Sequence, residues 1–179
     1  MKNKLRYFIP LIILISSCAD APVVKHESYF SISTFMNNEI KQHQATNTRL
    51  LKMVKRDNQL ETKEIIVSNW EHEFKPFFES EIDKPVWSLA YDCDTVLSDT
   101  LQQIVYVAKD EKAPVRRMQI DVLKHQIQKI EIQFEKSNAW FNLKRKLIYL
   151  RNIGYQISGE QNMVLSDPSY FEINVKFIR

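Results

Sequence analysis

From about residue 86 to its end, the chain repeats apolar side chains at every second position, and this period constrains its fold more than any other feature. Trp87, Leu89, Tyr91 and Cys93 alternate with small or polar residues, as a half-buried strand over 86–93 requires. That register places Cys93 on the buried face, where a thiol is unreactive. Residues 101–109 form a further run rich in Ile, Val and Tyr. Met118, Ile120 and Val122 share a face in the next run, and Ile130, Ile132 and Phe134 share one after a turn near 124–126. Beyond Ser137-Asn138 come Phe141, Leu143, Leu147 and Tyr149. Residues 139–151 also fit a helix, but strand is preferred because Tyr155-Gln156-Ile157 continues the two-residue period past a turn at 152–154. Asp167-Pro168 marks the last turn, after which Phe171, Ile173, Val175 and Phe177 alternate without a break.

Before residue 86 the period is helical. Ile32, Phe35, Met36, Ile40, Leu50, Leu51 and Val54 predict one long amphipathic helix over 31–56. Ser31 or Ser33 caps it, and Arg49, Lys52, Lys55 and Arg56 suit the negative end of its dipole. Asp57-Asn58 makes a turn, and residues 60–67 end in Ile65-Ile66-Val67, a short β-branched strand. Ser68-Asn69-Trp70-Glu71 matches a capping box, opening a second helix with Trp70, Phe74, Phe77, Phe78 and Ile82 on one face. Pro76 kinks or shortens that helix, and Asp83-Lys84-Pro85 breaks it. The expected class is α+β, with one long and one shorter N-terminal helix packed on an antiparallel sheet of about six or seven strands whose other face is partly wet.

The first 18 residues carry an address. Lys2, Lys4 and Arg6 precede a nine-residue apolar run, 7–15, that ends in Ser16-Ser17, a signal-peptide layout. A membrane span needs about 20 apolar residues, so this run is too short to remain as one. Ile15-Ser16-Ser17-Cys18 resembles the bacterial lipobox, which implies cleavage after residue 17 and acylation of Cys18. Two or more acyl chains anchor firmly where one is marginal. Ala19 follows the cysteine and Asp20 comes one place too late for an inner-membrane retention signal, so the outer membrane is the expected location, on its periplasmic side or at the cell surface. Residues 18–28, with Pro22 and no periodicity, read as a lipidated tether, and 29–179 as a single domain.

Without residues 1–17 the chain has 162 residues, 22 of them basic and 22 acidic. The apparent basicity thus belongs to the leader, and no clustered positive footprint for nucleic acid is visible. The only glycines are Gly154 and Gly159, which excludes Gly-rich phosphate cradles and dinucleotide turns. With Cys18 committed to lipid, Cys93 has no disulfide partner.

Other chemistry-bearing groups have plainer explanations. Glu71, His72 and Glu73 point about 100° apart on a helix, unlike i,i+4 zinc pairs. Asp92, Asp94 and Asp99 cluster near a turn but lack the glycine and bidentate glutamate of a calcium loop. Cys93 with His26, His43, His72 or His125 carries no nucleophile signature. No metal, cofactor or catalytic residue is assigned. Trp70, Phe74, Phe77, Phe78 and Trp87 read first as helix–sheet core and second as a groove for an acyl chain, peptide or glycan.

Glu61-Thr62, Trp70-Glu71-His72-Glu73-Phe74, Phe77-Phe78, Glu81-Ile82-Asp83-Lys84-Pro85 and Tyr91, followed by Gly154-Tyr155-Gln156-Ile157-Ser158-Gly159-Glu160-Gln161, resemble an uncharacterised family of Bacteroidota lipoproteins. The resemblance spans most of the chain after Cys18 and implies location and fold, with no functional residue to carry over. The expectation is a lipid-anchored, non-enzymatic binding or structural module of the cell envelope, whose partners are the membrane and an envelope protein or lipid. A periplasmic carrier or chaperone for lipid or lipoprotein is the alternative, and a hydrolase the third.

Overall fold

The computed structural model describes residues 28–57, 59–164 and 166–178. The expected signal peptide, Cys18, His26 and the tether up to residue 27 lie outside them. In chain order the elements are α1 (Ile32–Ala45), β1 (Arg49–Arg56), β2 (Gln59–Ile66), α2 (Trp70–Glu73), α3 (Lys75–Glu79) and a 3-10 turn at Pro85–Trp87. There follow β3 (Tyr91–Leu97), β4 (Leu101–Ala108), β5 (Val115–Leu123), β6 (Gln126–Ser137), β7 (Phe141–Leu150), β8 (Gly154–Met163) and β9 (Ser166–Ile178). All nine strands join one antiparallel sheet in the order β2-β1-β9-β8-β7-β6-β5-β4-β3. Helices with a single antiparallel sheet are the expected class in outline. Among the described residues the strands number nine rather than six or seven, and the long helix is much shorter than expected.

The helix expected over 31–56 stops at Ala45. Ser31 caps its start by accepting from the Thr34 amide, and Thr46 caps its end. Asn47 then takes a left-handed backbone, φ 47°, and Arg49–Arg56 leaves as a strand between β2 and β9. Leu50, Leu51 and Val54 fit either period. What decides is pairing, because β9 alternates without interruption beside them and offers a full ladder from Arg49↔Ile178 to Arg56↔Phe171. Arg49, Lys52, Lys55 and Arg56 therefore lie on a strand and not at a helix end. The second helix splits as Pro76 requires, into α2 and α3. Its cap is Asn69, which accepts from the His72 amide, and not Ser68.

The expected strand over 86–93 is only half present. Pro85 starts a 3-10 turn that contains Trp87, Leu89 is 73% exposed, and the strand begins at Tyr91. Cys93 is exposed, against the expectation of burial. It lies opposite Tyr106, but β3 is the outermost strand of the sheet, so no further strand shields it on one side. The preferred strand reading of 139–151 holds in β7. Asp167-Pro168 is not the last turn. Met163 at the end of β8 already pairs with Ser166, and Asp167 and Pro168 sit in β9 beside a register irregularity. Pro168 lies beyond Phe171, the last β9 residue paired with β1, so its missing amide interrupts no ladder on that side.

After β2 the chain crosses the whole sheet through α2, α3 and the 3-10 turn, then returns as a seven-strand meander that ends beside β1. Along the meander the residues that alternate inward are buried: Met118 and Ile120, Ile130 and Ile132, Leu147 and Tyr149, Tyr155 and Ile157. Ile32, Met36 and Ile40 of α1 and Phe74 and Phe77 of the crossing close over them. The opposite face carries ion pairs such as Glu131 with Lys129 and Lys146, so the sheet is wet on one side. Both glycines lie in β8, where a side chain would strike the backbone of a neighbouring strand, Val175 for Gly154 and Lys144 for Gly159. Among the described residues no helix is long and apolar enough to cross a membrane.

Candidate functional site

Two clusters of polar and aromatic groups stand out on the helix-covered face. The first is at its centre. Phe74 and Phe77 are fully buried and each meets both Tyr149 and Tyr155 edge to face at 5.7–6.0 Å. Trp70 stacks on His43 at 4.7 Å. Inside this aromatic shell the Tyr149 hydroxyl donates to Glu39 Oε2 at 2.8 Å, and Arg151 Nε pairs with Glu39 Oε1 at 3.2 Å. The single phenolic hydrogen is thus committed, so His43 Nε2, 3.2 Å from the Tyr149 oxygen, is the donor there. Its Nδ1 is left to accept from Thr48, 3.3 Å away. Similarly, the Tyr155 hydroxyl donates to Glu73 Oε1, which also receives Lys52 Nζ at 2.7 Å.

Burial first, and then the adjoining carboxylate, push both phenols far above the usual tyrosine range. They stay protonated and act as fixed donors that tie α1 and α2 to β7 and β8. This is structural chemistry: a buried carboxylate satisfied by a phenol and a guanidinium.

The second cluster surrounds a cleft of about 1150 Å³ at one end of the same face, beyond α3. Val86 and Trp87 of the 3-10 turn form one wall, and Phe134, Phe141 and Leu143 of β6 and β7 form the other. Pro85 preorganises the turn that holds Val86 outward, 72% exposed. Arg145 lies at the base, with its guanidinium carbon 4.7 Å above the Phe134 ring and Nη2 donating to Glu79 Oε2 at 2.8 Å. Its Nε is buried with no hydrogen-bond partner among the described residues. Lys84, Lys112 and Lys136 line the cleft as exposed cations. Arg116 also lines it, and its Nη1 is held by the carbonyls of Asp110, Glu111 and Ala113 at 3.0–3.1 Å.

Of the five aromatics singled out by sequence, Trp87 alone lines this cleft. Trp70, Phe74 and Phe77 are core, and Phe78 packs partly buried against it. Sequence reasoning missed Phe134, Phe141, Leu143 and Arg145, because they read as ordinary inward positions of two strands. The only signal was Arg145 itself, a cation on the apolar face of β7 between Leu143 and Leu147.

The remaining groups stay apart. Glu73 is engaged by Tyr155 and Lys52, while Glu71 and His72 are exposed. Asp92 pairs with Lys109 at 2.9 Å, and His125 occupies the turn after β5 with φ 61°. Among the described residues no group of three or more His, Cys, Asp or Glu is arranged to hold a metal ion. In comparisons with known proteins, no family model, no curated protein and no solved structure matches this chain.

Proposed function

We propose that this protein is a lipid-anchored, non-enzymatic binding module of the cell envelope whose ligand occupies the cleft between the 3-10 turn and strands β6 and β7. The observation that carries the reading is the cleft itself. At about 1150 Å³ it is above the usual range of small-molecule sites, roughly 300–1,000 Å³, and it combines an apolar wall with a rim of charged side chains. The lipobox-like Cys18 supports attachment to the outer membrane. A hydrolase is the third reading, and of the groups that would have to converge for it, Asp92, Asp94, Cys93 and His125, none lines this cleft.

A photo-crosslinking residue introduced at Val86 in cells should capture a defined adduct, while the same residue at Ile153, which lies in the turn between β7 and β8, should not. Equal capture at both positions, or none at Val86, would remove the cleft from consideration. Attachment has its own test. A fatty-acid analogue should label wild type and not Cys18→Ala, and equal labelling of both would sink the anchor.

The apolar wall also favours a second reading, a carrier or chaperone for lipid or lipoprotein. Protein released from its anchor should then show co-purifying acyl species in native mass spectra, and a clean apo mass would count against it.

A further inference from the structure

We infer that the cleft takes an anionic amphiphile, with an acidic headgroup, carboxylate or phosphate, on the lysine rim and an acyl chain along the Val86, Trp87, Phe141 and Leu143 walls. The inference rests on the cleft being the binding element. It comes from the charges there. Five basic and three acidic side chains line the cleft, and the pairing among them is uneven. Arg145 is offset by Glu79 at 2.8 Å, and Glu135 is approached by Lys144 at 3.6 Å. One arm of Arg116 closes on backbone carbonyls.

Lys84, Lys112, Lys136 and Glu111 are left, none of which makes an ion pair within 4.0 Å among the described residues, so the cations left over outnumber the one carboxylate three to one. A lysine presents a compact charge with three donors, suited to a carboxylate or phosphate oxygen without the bidentate geometry that arginine favours. Below the rim the walls are apolar and aromatic, and Val86 and Trp87 stand apart from the sheet residues they face. Such surface gains by leaving water. Charge alone would not need this wall, and an uncharged chain would not need three unpaired cations. An amphiphile uses both.

The test uses the full lipidated chain in zwitterionic phosphatidylcholine vesicles of no net charge, titrated calorimetrically with decyl phosphate, decyl maltoside and inorganic phosphate, with the same titrations into protein-free vesicles subtracted. Decyl phosphate should bind saturably with one-to-one stoichiometry and weaken as salt rises. The Lys84→Gln, Lys112→Gln, Lys136→Gln triple variant should lose at least tenfold in affinity, and so should Val86→Asp. All four positions are exposed, so the variants test the cleft and not the core. Equal affinity for decyl maltoside, equal affinity for inorganic phosphate, or an unchanged triple variant would overturn the inference. If no probe binds but Val86 still crosslinks a partner, the amphiphile is wrong and the binding-module reading survives. If both fail, both are wrong.

Discussion

Phe77 and Phe141 are both aromatic groups on the inner side of this molecule, yet one is sealed and the other stands at an open cleft. Around Phe77 the sheet is covered by α1, α2 and α3, and its buried ring meets those of Phe74, Tyr149 and Tyr155 edge to face. Around Phe141 the cover has run out, and Trp87 and Val86 face it across open space. The difference follows from the path of the chain. Between Ile66 and Tyr91 only 24 residues carry it from one edge of a nine-stranded sheet to the other. Eight strand spacings amount to up to about 40 Å. A single pass of that length is one element wide, here two short helices of four and five residues and a 3-10 turn, and one such pass cannot cover a nine-stranded face as a continuous layer. The cleft is what a thin crossing leaves uncovered.

The largest effect should come from the sealed side. Phe77→Ala empties a fully buried site and should cost about 3–5 kcal/mol in denaturant unfolding. A loss below about 1 kcal/mol would mean that the centre is not packed as described. Tyr149→Phe should come next. It removes the donor to Glu39 Oε2 and the acceptor for His43, which should cost about 1.5–3 kcal/mol because a charged acceptor loses its partner in the interior. A neutral result would indicate that the network is dispensable.

Phe141→Ala, on the open side, should cost only about 1 kcal/mol or less, as surface positions do, while altering binding in the cleft. Comparing its unfolding midpoint with that of Phe77→Ala gives the contrast directly, and equal losses would abolish it.

The smallest effect should be found on the outer face. Hydrogen bonds from Lys129 and Lys146 hold the Glu131 carboxyl below its ordinary value of 4.5. A group depressed in the folded state stabilises above its unfolded pKa, and that contribution fades as pH falls through the lower folded value. Glu131→Gln should therefore flatten the acid limb of stability below about pH 4.5 and change little at pH 7. An unchanged acid limb would show that the pair is screened.

Much of this fold was legible because its causes are local. Ser31 caps α1 with a hydroxyl three residues from the amide it satisfies. Pro76 divides the second helix by lacking an amide, and strands β4 to β9 announce themselves through alternating inward residues. The same local reasoning failed at Leu50, Leu51 and Val54, whose spacing suits a helix or a strand buried from both sides. It failed at Cys93 too, where the alternation continues but the position at the sheet edge removes the cover.

The sequence by itself determined the two-residue period from Leu101 onward, though not the last turn, which it placed at Asp167-Pro168 inside β9, together with the polar outer face and the leader's likeness to a lipobox, since each depends on residues within a few positions of one another. Tertiary structure decided that Arg49–Arg56 pairs as a strand, because that requires β9, more than a hundred residues away. It also decided the cleft. Trp87 and Val86 meet Phe134, Phe141, Leu143 and Arg145 only because a short crossing and a long meander bring them to one end of the sheet, and no pattern within either segment encodes that distance.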